Sequence, residues 1–330
     1  MMKSFQAIVI SKSDDKQRAE LSTLSEEDLM DGDVTVAIEY STLNYKDGLA
    51  ISGAAPIVRR FPLIPGIDFS GSVIESTNGR FTKGDKVILN GFGVGEVHHG
   101  GFSQIGRVKG DWLVALPGGM STRHAMGVGT AGYTAMLSVL GLEDHGLRPA
   151  DGDILVTGAA GGVGSVAIML LAKRGYRVVA VTGRVSETEY LRNVGASEVL
   201  DRQEFSDPAR PLGKERWAGA VDVAGGNTLA NVLSQMKYGG MVAACGLADS
   251  MKLPTSVAPF ILRGVTLKGI DSVMADLKTR TRAWDRLAQD LDLETLDSIC
   301  TEVSLQDVLG LGESIIAGKI RGRTIVNPVA

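Results

Sequence analysis

The chain has 330 residues, which is longer than one hydrophobic core usually spans, so we expect two domains or one domain with a large insertion. Hydrophobic residues make up 44% and charged residues 22%, a composition that excludes intrinsic disorder and fibrous folds. The 34 basic and 38 acidic residues give a formal net charge of −4. We therefore expect no broad surface for nucleic acid or for anionic membranes.

Cysteine usage and apolar patterning bear on the compartment. The two cysteines, Cys245 and Cys300, are too few for a disulfide framework or a four-thiolate zinc site. The N-terminal segment lacks the apolar core of a signal peptide. The longest apolar stretch, residues 166–172, is far shorter than the ~20 residues of a membrane helix. We therefore expect a soluble cytoplasmic protein.

The first third of the chain has a β-strand pattern. From Phe5 to about Ala115, short alternating runs are separated by Gly, Asp and Asn. The runs are FQAIVI, DVTVAIEY, DFSGSVIES, DKVILNG and SQIGRVKGDWLVALP. Alternation and turn residues at this spacing predict a small all-β unit that forms a partly open barrel.

After about Met120 the pattern becomes helical and then alternates between strands and helices. STRHAMGVGTAGYTAMLSVLGL predicts a helix, and ILVTG, RVVAVTG, EVLD, GAVDVAG and GMVAACG predict strands with helices between them. This order predicts a doubly wound parallel sheet. The tail from about Gly269 has two helical stretches and a final strand, RTIVNPV. We expect the tail to pack back onto the N-terminal β unit.

A glycine-rich loop lies between the strand ILVT and an amphipathic helix. It contains Gly158, Gly161, Gly162 and Gly164. A strand that turns sharply into a helix presents unpaired N–H groups and a positive helix end, which suits a pyrophosphate. The strict G-x-G-x-x-G pattern is not met, because its first position falls on Ala159. The strand–loop–helix context nevertheless predicts a dinucleotide site.

The end of the next strand bears on which dinucleotide binds. NAD sites commonly place a carboxylate about 20 residues after the loop. Counting from Gly164 leads instead to Arg184, preceded by Thr182 and Gly183. A guanidinium pairs with the 2′-phosphate that a carboxylate would repel, so we expect NADPH as the cofactor. The alternative is that Arg184 is simply solvated.

Several motifs together resemble the medium-chain dehydrogenases/reductases over nearly the whole chain. They are LNYKD at 43–47, PGIDFSG at 65–71, GTAGYTA at 129–135, AAGGVG at 159–164 and GKIRGR at 318–323. Zinc alcohol dehydrogenases of that family carry a cysteine ligand near Asn44 and a His-Glu pair near Ile67-Asp68. Neither is present here, so we expect no metal.

Within the zinc-free branch, the sequence is most similar to the acryloyl-CoA reductase group, whose members use NADPH. The segments that carry this resemblance are NYKDGLAISG, IPGIDFSG, VTGRVSETEYLRNVGASEVLDR, ACGLA and PFILRGVTLKGIDSV. The resemblance implies an α/β protein with a GroES-like catalytic domain at 1–122, completed by 268–330. It further implies a Rossmann domain at 123–267, a cleft between the two domains, and a homodimer.

The resemblance also implies roles for individual residues. Tyr45 would lie beside the nicotinamide, and Asn327 would contact the cofactor from the tail. The other implied cofactor contacts are Ala160, Gly161, Gly162 and Val163 at the pyrophosphate, Thr182, Gly183 and Arg184 at the 2′-phosphate, Arg202 near the adenosine, and Leu247, Ile261 and Ser272 on the nicotinamide side.

Reduction of an enoyl thioester needs a hydride at the β-carbon, a donor to the enolate oxygen and a proton for the α-carbon. Mitochondrial enoyl-thioester reductases use a tyrosine whose position falls on Ala55 here. That departure leaves Tyr45, Asn44 and Asp47 as candidate catalytic groups, or water as the proton source. Tyr45 could instead only pack the nicotinamide, Asn44 could fix its own loop, and Asp47 could cap the following turn.

An acyl-CoA substrate carries phosphates, for which Arg59 and Arg60 are candidate contacts, although loop arginines are often only solvated. His98 and His99 have only Glu96 near them at ligand spacing, so we expect them in a mobile, solvated loop.

Two other functions remain open at this point. A quinone or alkenal reductase would use the same scaffold and cofactor, with only the pocket differing. A non-catalytic NADP(H)-binding sensor would need no polar donor near the nicotinamide.

Overall fold

The computed structural model describes residues 4–14 and 16–330. The chain divides into two compact units. Unit 1 comprises the described residues up to Thr130 together with Ser272–Ala288 and Leu296–Ala330. Unit 2 comprises Ala131–Asp271 and Gln289–Thr295.

The described residues form fifteen strands and ten α-helices, with short 3-10 turns between some of them. The strands are β1 Phe5–Ser13, β2 Lys16–Leu24, β3 Val34–Thr42, β4 Asp68–Ser76, β5 Lys86–Asn90, β6 Ile105–Val108, β7 Leu113–Ala115, β8 Ile154–Val156, β9 Val178–Thr182, β10 Glu198–Asp201, β11 Trp217–Asp222, β12 Met236–Ala244, β13 Thr266–Gly269, β14 Cys300–Ser304 and β15 Arg323–Asn327. The helices are α1 Tyr45–Ser52, α2 Thr122–Asp144, α3 Gly162–Lys173, α4 Thr188–Asn193, α5 Gly226–Ser234, α6 Ala258–Arg263, α7 Leu277–Asp290, α8 Leu293–Ser298, α9 Leu305–Val308 and α10 Gly312–Ile316.

Unit 1 is built on a mixed sheet with the strand order β14-β15-β3-β4-β5-β7, in which β6 also pairs with β3. Val34, Val36 and Ile38 of β3 are buried at every second position, as expected of a strand with one face in the core. β15 from the tail pairs antiparallel with β3 and parallel with β14. The tail therefore completes the sheet that the N-terminal third begins.

Unit 2 is built on a parallel six-stranded sheet with the order β10-β9-β8-β11-β12-β13. Every residue of β8, β9 and β11 is buried, which is typical of parallel strands covered on both faces. The strands that follow β8 in the chain, β9 and β10, lie on one side of it, and β11, β12 and β13 lie on the other side, so the direction of winding reverses between β8 and β11. In doubly wound sheets, ligands bind at the carboxyl ends of the strands beside such a point.

Helix α2 is the one element among the described residues with the length and mean hydropathy of a membrane-crossing helix. Its most apolar window has a mean hydropathy of 1.3 and is 89% buried, as in the core helices of many proteins outside membranes. The helix is broken at Gly129, whose φ of 53° lies in the left-handed region. A side chain at Gly129 would overlap the Arg323 guanidinium, so this position requires glycine.

Candidate functional site

The glycine-rich loop of unit 2 connects the buried end of β8 to the first turn of α3. Gly158 has a φ of 58°, and Gly161 is the N-cap of the helix. A Cβ atom at Gly164 would lie 2.5 Å from the Gly158 carbonyl oxygen and 2.6 Å from the Ala159 Cα. The helix therefore begins in direct contact with the loop, and a residue with a side chain would not fit at position 164. This arrangement fits a pyrophosphate.

The predicted 2′-phosphate residues lie at the end of the neighbouring strand. Thr182 ends β9, and its hydroxyl accepts a hydrogen bond of 3.1 Å from the Arg184 N–H. Gly183 follows in the exposed turn, and a Cβ atom there would lie 2.9 Å from the Arg202 guanidinium carbon. The Arg202 guanidinium therefore lies against this turn, in space that a side chain at residue 183 would occupy. The structure thus brings the ends of β9 and β10 together, with Asp201 opposite Thr182.

Leu247 and Ile261 belong to the same unit, but they lie outside these two turns. Leu247 follows β12 and is 58% exposed, and Ile261 lies on α6 and is 72% exposed. Both are large apolar side chains without a covering partner in unit 2.

Asn44 is the N-cap of α1 in unit 1 and is enclosed by two buried carboxylates. Its side-chain Nδ2 donates to Asp47 Oδ2 at 3.1 Å, to Asp68 Oδ2 at 3.0 Å and to Thr42 Oγ1 at 3.1 Å. Asp68 also accepts from the Thr42 hydroxyl at 2.7 Å and from the Thr130 N–H at 2.7 Å. The amide hydrogens of Asn44 are therefore already used in hydrogen bonds within unit 1. The sequence analysis did not identify Asp68 or Thr42 as members of this cluster.

Asp47 is buried, and its carboxylate accepts three hydrogen bonds from unit 1. Oδ2 accepts from the Asn44 backbone N–H at 2.8 Å and from the Asn44 side chain, and Oδ1 accepts from the Ile67 N–H at 3.0 Å. Burial and the nearby charge of Asp68 raise the pKa of Asp47 to about 7, although these hydrogen bonds oppose the shift. The suggestion that Asp47 caps the following turn was wrong: Asp47 is the third residue of α1, and its carboxylate binds the N–H of Asn44, which is itself the N-cap.

Tyr45 occupies the first position of α1, between these two buried polar residues. It is 40% exposed, unlike Asn44 and Asp47. Of the three candidate catalytic groups, Tyr45 is the one that unit 1 leaves accessible.

The residues at the positions of the family's zinc ligands do not fit zinc. Asn44 and Ile67 supply neither a thiolate nor an imidazole, and both carboxylates nearby accept several hydrogen bonds. The described part of the chain has no group of three His, Cys, Asp or Glu side chains that could hold a metal ion.

Arg59 and Arg60 lie in the loop after α1, as the sequence indicates. Arg59 contacts Glu96 at 3.3 Å, and Glu96 also binds Lys46 of α1 at 2.8 Å. Arg60 is exposed. One carboxylate is therefore shared by two cations, and the patch keeps an excess of positive charge.

The expectation of a solvated loop for the histidine pair was wrong. His98 is buried and packs edge-on against Trp112, with ring centroids 5.1 Å apart. His99 Nδ1 accepts a hydrogen bond of 3.1 Å from the Ile64 N–H. These contacts fix the loop, and burial lowers the pKa of His99.

Ser272 and Asn327 lie in unit 1. The Ser272 carbonyl oxygen accepts a hydrogen bond of 3.2 Å from buried Arg280. The side chain of Asn327 donates to Glu302 at 2.9 Å and accepts from the Val329 N–H at 3.1 Å.

The chain matches two protein families. Residues 30–126 match the alcohol dehydrogenase GroES-like domain, and residues 162–289 match the zinc-binding dehydrogenase domain. Acrylyl-CoA reductase AcuI of Ruegeria pomeroyi is 53% identical, covering 98% of this chain and 99% of that protein.

Two solved structures are similar over their whole length. YhdH of Escherichia coli K-12 with bound NADPH is 54% identical, with a TM-score of 0.96, and the match covers 98% of this chain and 99% of that one. YhfP of Bacillus subtilis with NAD bound is 46% identical, with a TM-score of 0.95, and the match covers 99% and 100% of the two chains. With its GroES-like and Rossmann-type domains, the chain belongs to the medium-chain dehydrogenase/reductase family.

Proposed function

We propose that this protein is an NADPH-dependent reductase of short 2-enoyl-CoA thioesters, with acryloyl-CoA as substrate and propanoyl-CoA as product. The observation that carries the proposal is the 53% identity, over nearly the whole chain, to a protein named acrylyl-CoA reductase. A relative crystallised with NADPH supports the cofactor. The exposed Tyr45 beside a buried polar cluster supports catalysis over mere binding.

Unit 2 would hold the cofactor along the carboxyl edge of its sheet. The end of the glycine-rich loop and the start of α3, from Ala160 through Gly161 and Gly162 to Val163, would bind the pyrophosphate through backbone N–H groups. Arg184 and Arg202, on either side of Gly183, would bind the 2′-phosphate together with Thr182. The further proposed cofactor contacts are Tyr45, Leu247, Ile261, Ser272 and Asn327.

When bound, NADPH supplies a hydride for the β-carbon of the substrate. The electron pair of the double bond then moves onto the thioester oxygen as an enolate, and the α-carbon takes a proton as the enolate collapses. We assign the Tyr45 hydroxyl as the donor that stabilises the enolate oxygen. Asn44 and Asp47 are positioning residues in this proposal, because the Asn44 amide hydrogens and both Asp47 carboxylate oxygens already bind the chain.

The coenzyme A phosphates would be met by the basic loop of unit 1. Arg60 is the exposed cation, and Arg59 would exchange part of its contact with Glu96 for phosphate.

The alternative of a quinone reductase is kept because the 46% identical YhfP of Bacillus subtilis is named a putative quinone oxidoreductase. NADPH oxidation should be measured with acryloyl-CoA, crotonyl-CoA and a simple quinone side by side. The proposal predicts the highest kcat/KM for acryloyl-CoA. Activity on the quinone alone would contradict it, and NADPH binding without turnover of any of the three would favour a sensor.

We also propose a cytoplasmic homodimer. Strand β13 is an edge of the unit 2 sheet, and α6, which precedes β13 in the chain and packs on β12, exposes Leu262. A second copy of the chain could pair with this edge. Light scattering of the wild type and of Leu262→Glu tests the dimer. We expect a dimeric wild type and a monomeric variant, and a monomeric wild type would contradict the proposal. Cell fractionation tests the location.

A further inference from the structure

A buried carboxylate joins two of the loops at the carboxyl edge of the unit 2 sheet. Asp222 is the last residue of β11 and is fully buried. Its Oδ1 accepts a hydrogen bond of 2.7 Å from the Thr157 hydroxyl, and its Oδ2 accepts one of 2.8 Å from the Gly225 N–H. Thr157 follows β8 directly, and Gly225 is the N-cap of α5. One side chain thus fixes the turns after both β8 and β11.

Contacts continue from Thr157 to the glycine-rich loop. The Thr157 hydroxyl also accepts a hydrogen bond of 3.0 Å from the Val223 N–H. The Val223 side chain fills the space beside Gly158, where a Cβ atom would overlap Val223 Cγ2. The Gly158 carbonyl oxygen in turn accepts a hydrogen bond of 3.0 Å from the N–H of Gly161, the N-cap of α3. The first turn of α3 therefore rests on a chain of contacts that begins at Asp222.

The loop after β12 also forms hydrogen bonds to Asp222 and Val223. The Asp222 carbonyl oxygen accepts a hydrogen bond of 2.9 Å from the Cys245 N–H, and the Val223 carbonyl oxygen accepts one of 3.2 Å from the Ala248 N–H. Three loops at this edge consequently share one buried anchor. Removing one partner would leave polar groups without hydrogen bonds in a dry interior.

We propose that Asp222 and Thr157 are positioning residues that hold the glycine-rich loop in the shape that binds the cofactor pyrophosphate. This inference rests on the cofactor site of the proposed function. Because NADPH and NADH share the pyrophosphate, the pair sets the affinity for both dinucleotides by the same factor. That separates it from Arg184, which would contribute only to NADPH.

The test is direct binding of NADPH and of NADH to the full chain by calorimetry, without turnover. Thr157→Val keeps the shape of the side chain and removes its hydroxyl, so we expect both Kd values to rise about tenfold. Thr157→Ser keeps the hydroxyl and should stay near the wild type. Thr228→Val, at a buried threonine of α5 outside these contacts, is the matched control and should bind normally.

A structural role alone would lower the Tm of Thr157→Val and leave both Kd values of the folded variant unchanged, and that result would overturn the inference. So would weaker binding of NADPH alone. If Thr157→Val does not fold, Asp222→Asn serves instead, because an amide has only one acceptor oxygen and cannot accept from both the Thr157 hydroxyl and the Gly225 N–H on separate oxygens. Equal weakening of both cofactors supports the inference, and unchanged affinity overturns it. A wild type that binds neither cofactor would refute the cofactor site itself.

Discussion

The buried carboxyl of Asp47 makes the stability of unit 1 depend on pH. Burial and Asp68 raise its pKa from the ordinary 3.8 to about 7 in the folded chain. The folded state therefore binds this proton more tightly than the unfolded state. The resulting stabilisation is fully present below pH 3.8 and is lost as the pH rises through about 7.

The size of the effect follows from the two pKa values. At 1.36 kcal/mol for each pKa unit, the contribution falls by about 3 kcal/mol between pH 5 and pH 8. Asp47→Asn removes the titration while keeping one oxygen for the neighbouring N–H groups. Between pH 5 and pH 8, the unfolding free energy of the wild type should fall by about 3 kcal/mol relative to that of the variant. This change does not depend on how far the two free energies differ at pH 5.

Urea unfolding followed by tryptophan fluorescence measures this difference. Trp112 and Trp284 belong to unit 1, and Trp217 belongs to unit 2. Both proteins should therefore carry Trp217→Phe, so that the signal reports the unit that contains Asp47. A difference that stays constant from pH 5 to pH 8, or that changes in the opposite direction, would refute the account of Asp47.

Three further predictions concern the proposed site. Arg184→Ala should raise the KM for NADPH at least about tenfold and leave the KM for NADH nearly unchanged, because it removes one charged contact to the 2′-phosphate. Steady-state kinetics measures both values, with Arg210→Ala as the control at an exposed arginine. An equal rise for both cofactors would contradict the prediction. Tyr45→Phe should lower kcat for acryloyl-CoA about 100-fold with an unchanged Kd for NADPH, and an unchanged kcat would remove Tyr45 as the enolate donor. Gly164→Ala should lower the Tm and weaken NADPH binding, because its Cβ would meet backbone atoms at 2.5 and 2.6 Å. Gly161→Ala, whose Cβ would have its nearest atom at 3.3 Å, should lower the Tm much less, and equal Tm values of the two variants in scanning calorimetry would count against the close contact at Gly164.

The predicted strands and helices with strong periodicity are confirmed. The runs of β8, β9 and β11 are short, continuously buried and bounded by turn residues, and the longer apolar segment of α3 lies between two of them, which is the order typical of a parallel sheet. Strand β2 escaped prediction because none of its residues is fully buried, so its sequence carries no clear alternation. The short strand β13 has no fully buried residue either and depends on its pairing with β12.

The candidate site could be predicted from the sequence only where a local pattern marks it. The glycine-rich loop and Arg184 have such a pattern, because strand, turn and helix follow one another in the chain. The pairing of Thr157 with Asp222 spans 65 residues, and that of Asn44 with Asp68 spans 24, so only the folded chain reveals them. A charged residue ending an apolar strand, as at Asp222, is the one signal that could have suggested a buried role.

The proposed reaction transfers a hydride from NADPH to the β-carbon of acryloyl-CoA. Reaction with NADPH that carries deuterium at the transferred position, in ordinary water, tests it through the mass and NMR spectra of the product. The account predicts propanoyl-CoA with one deuterium on the β-carbon and none on the α-carbon. Deuterium at the α-carbon, or no labelled propanoyl-CoA while the cofactor is consumed with a quinone, would contradict it.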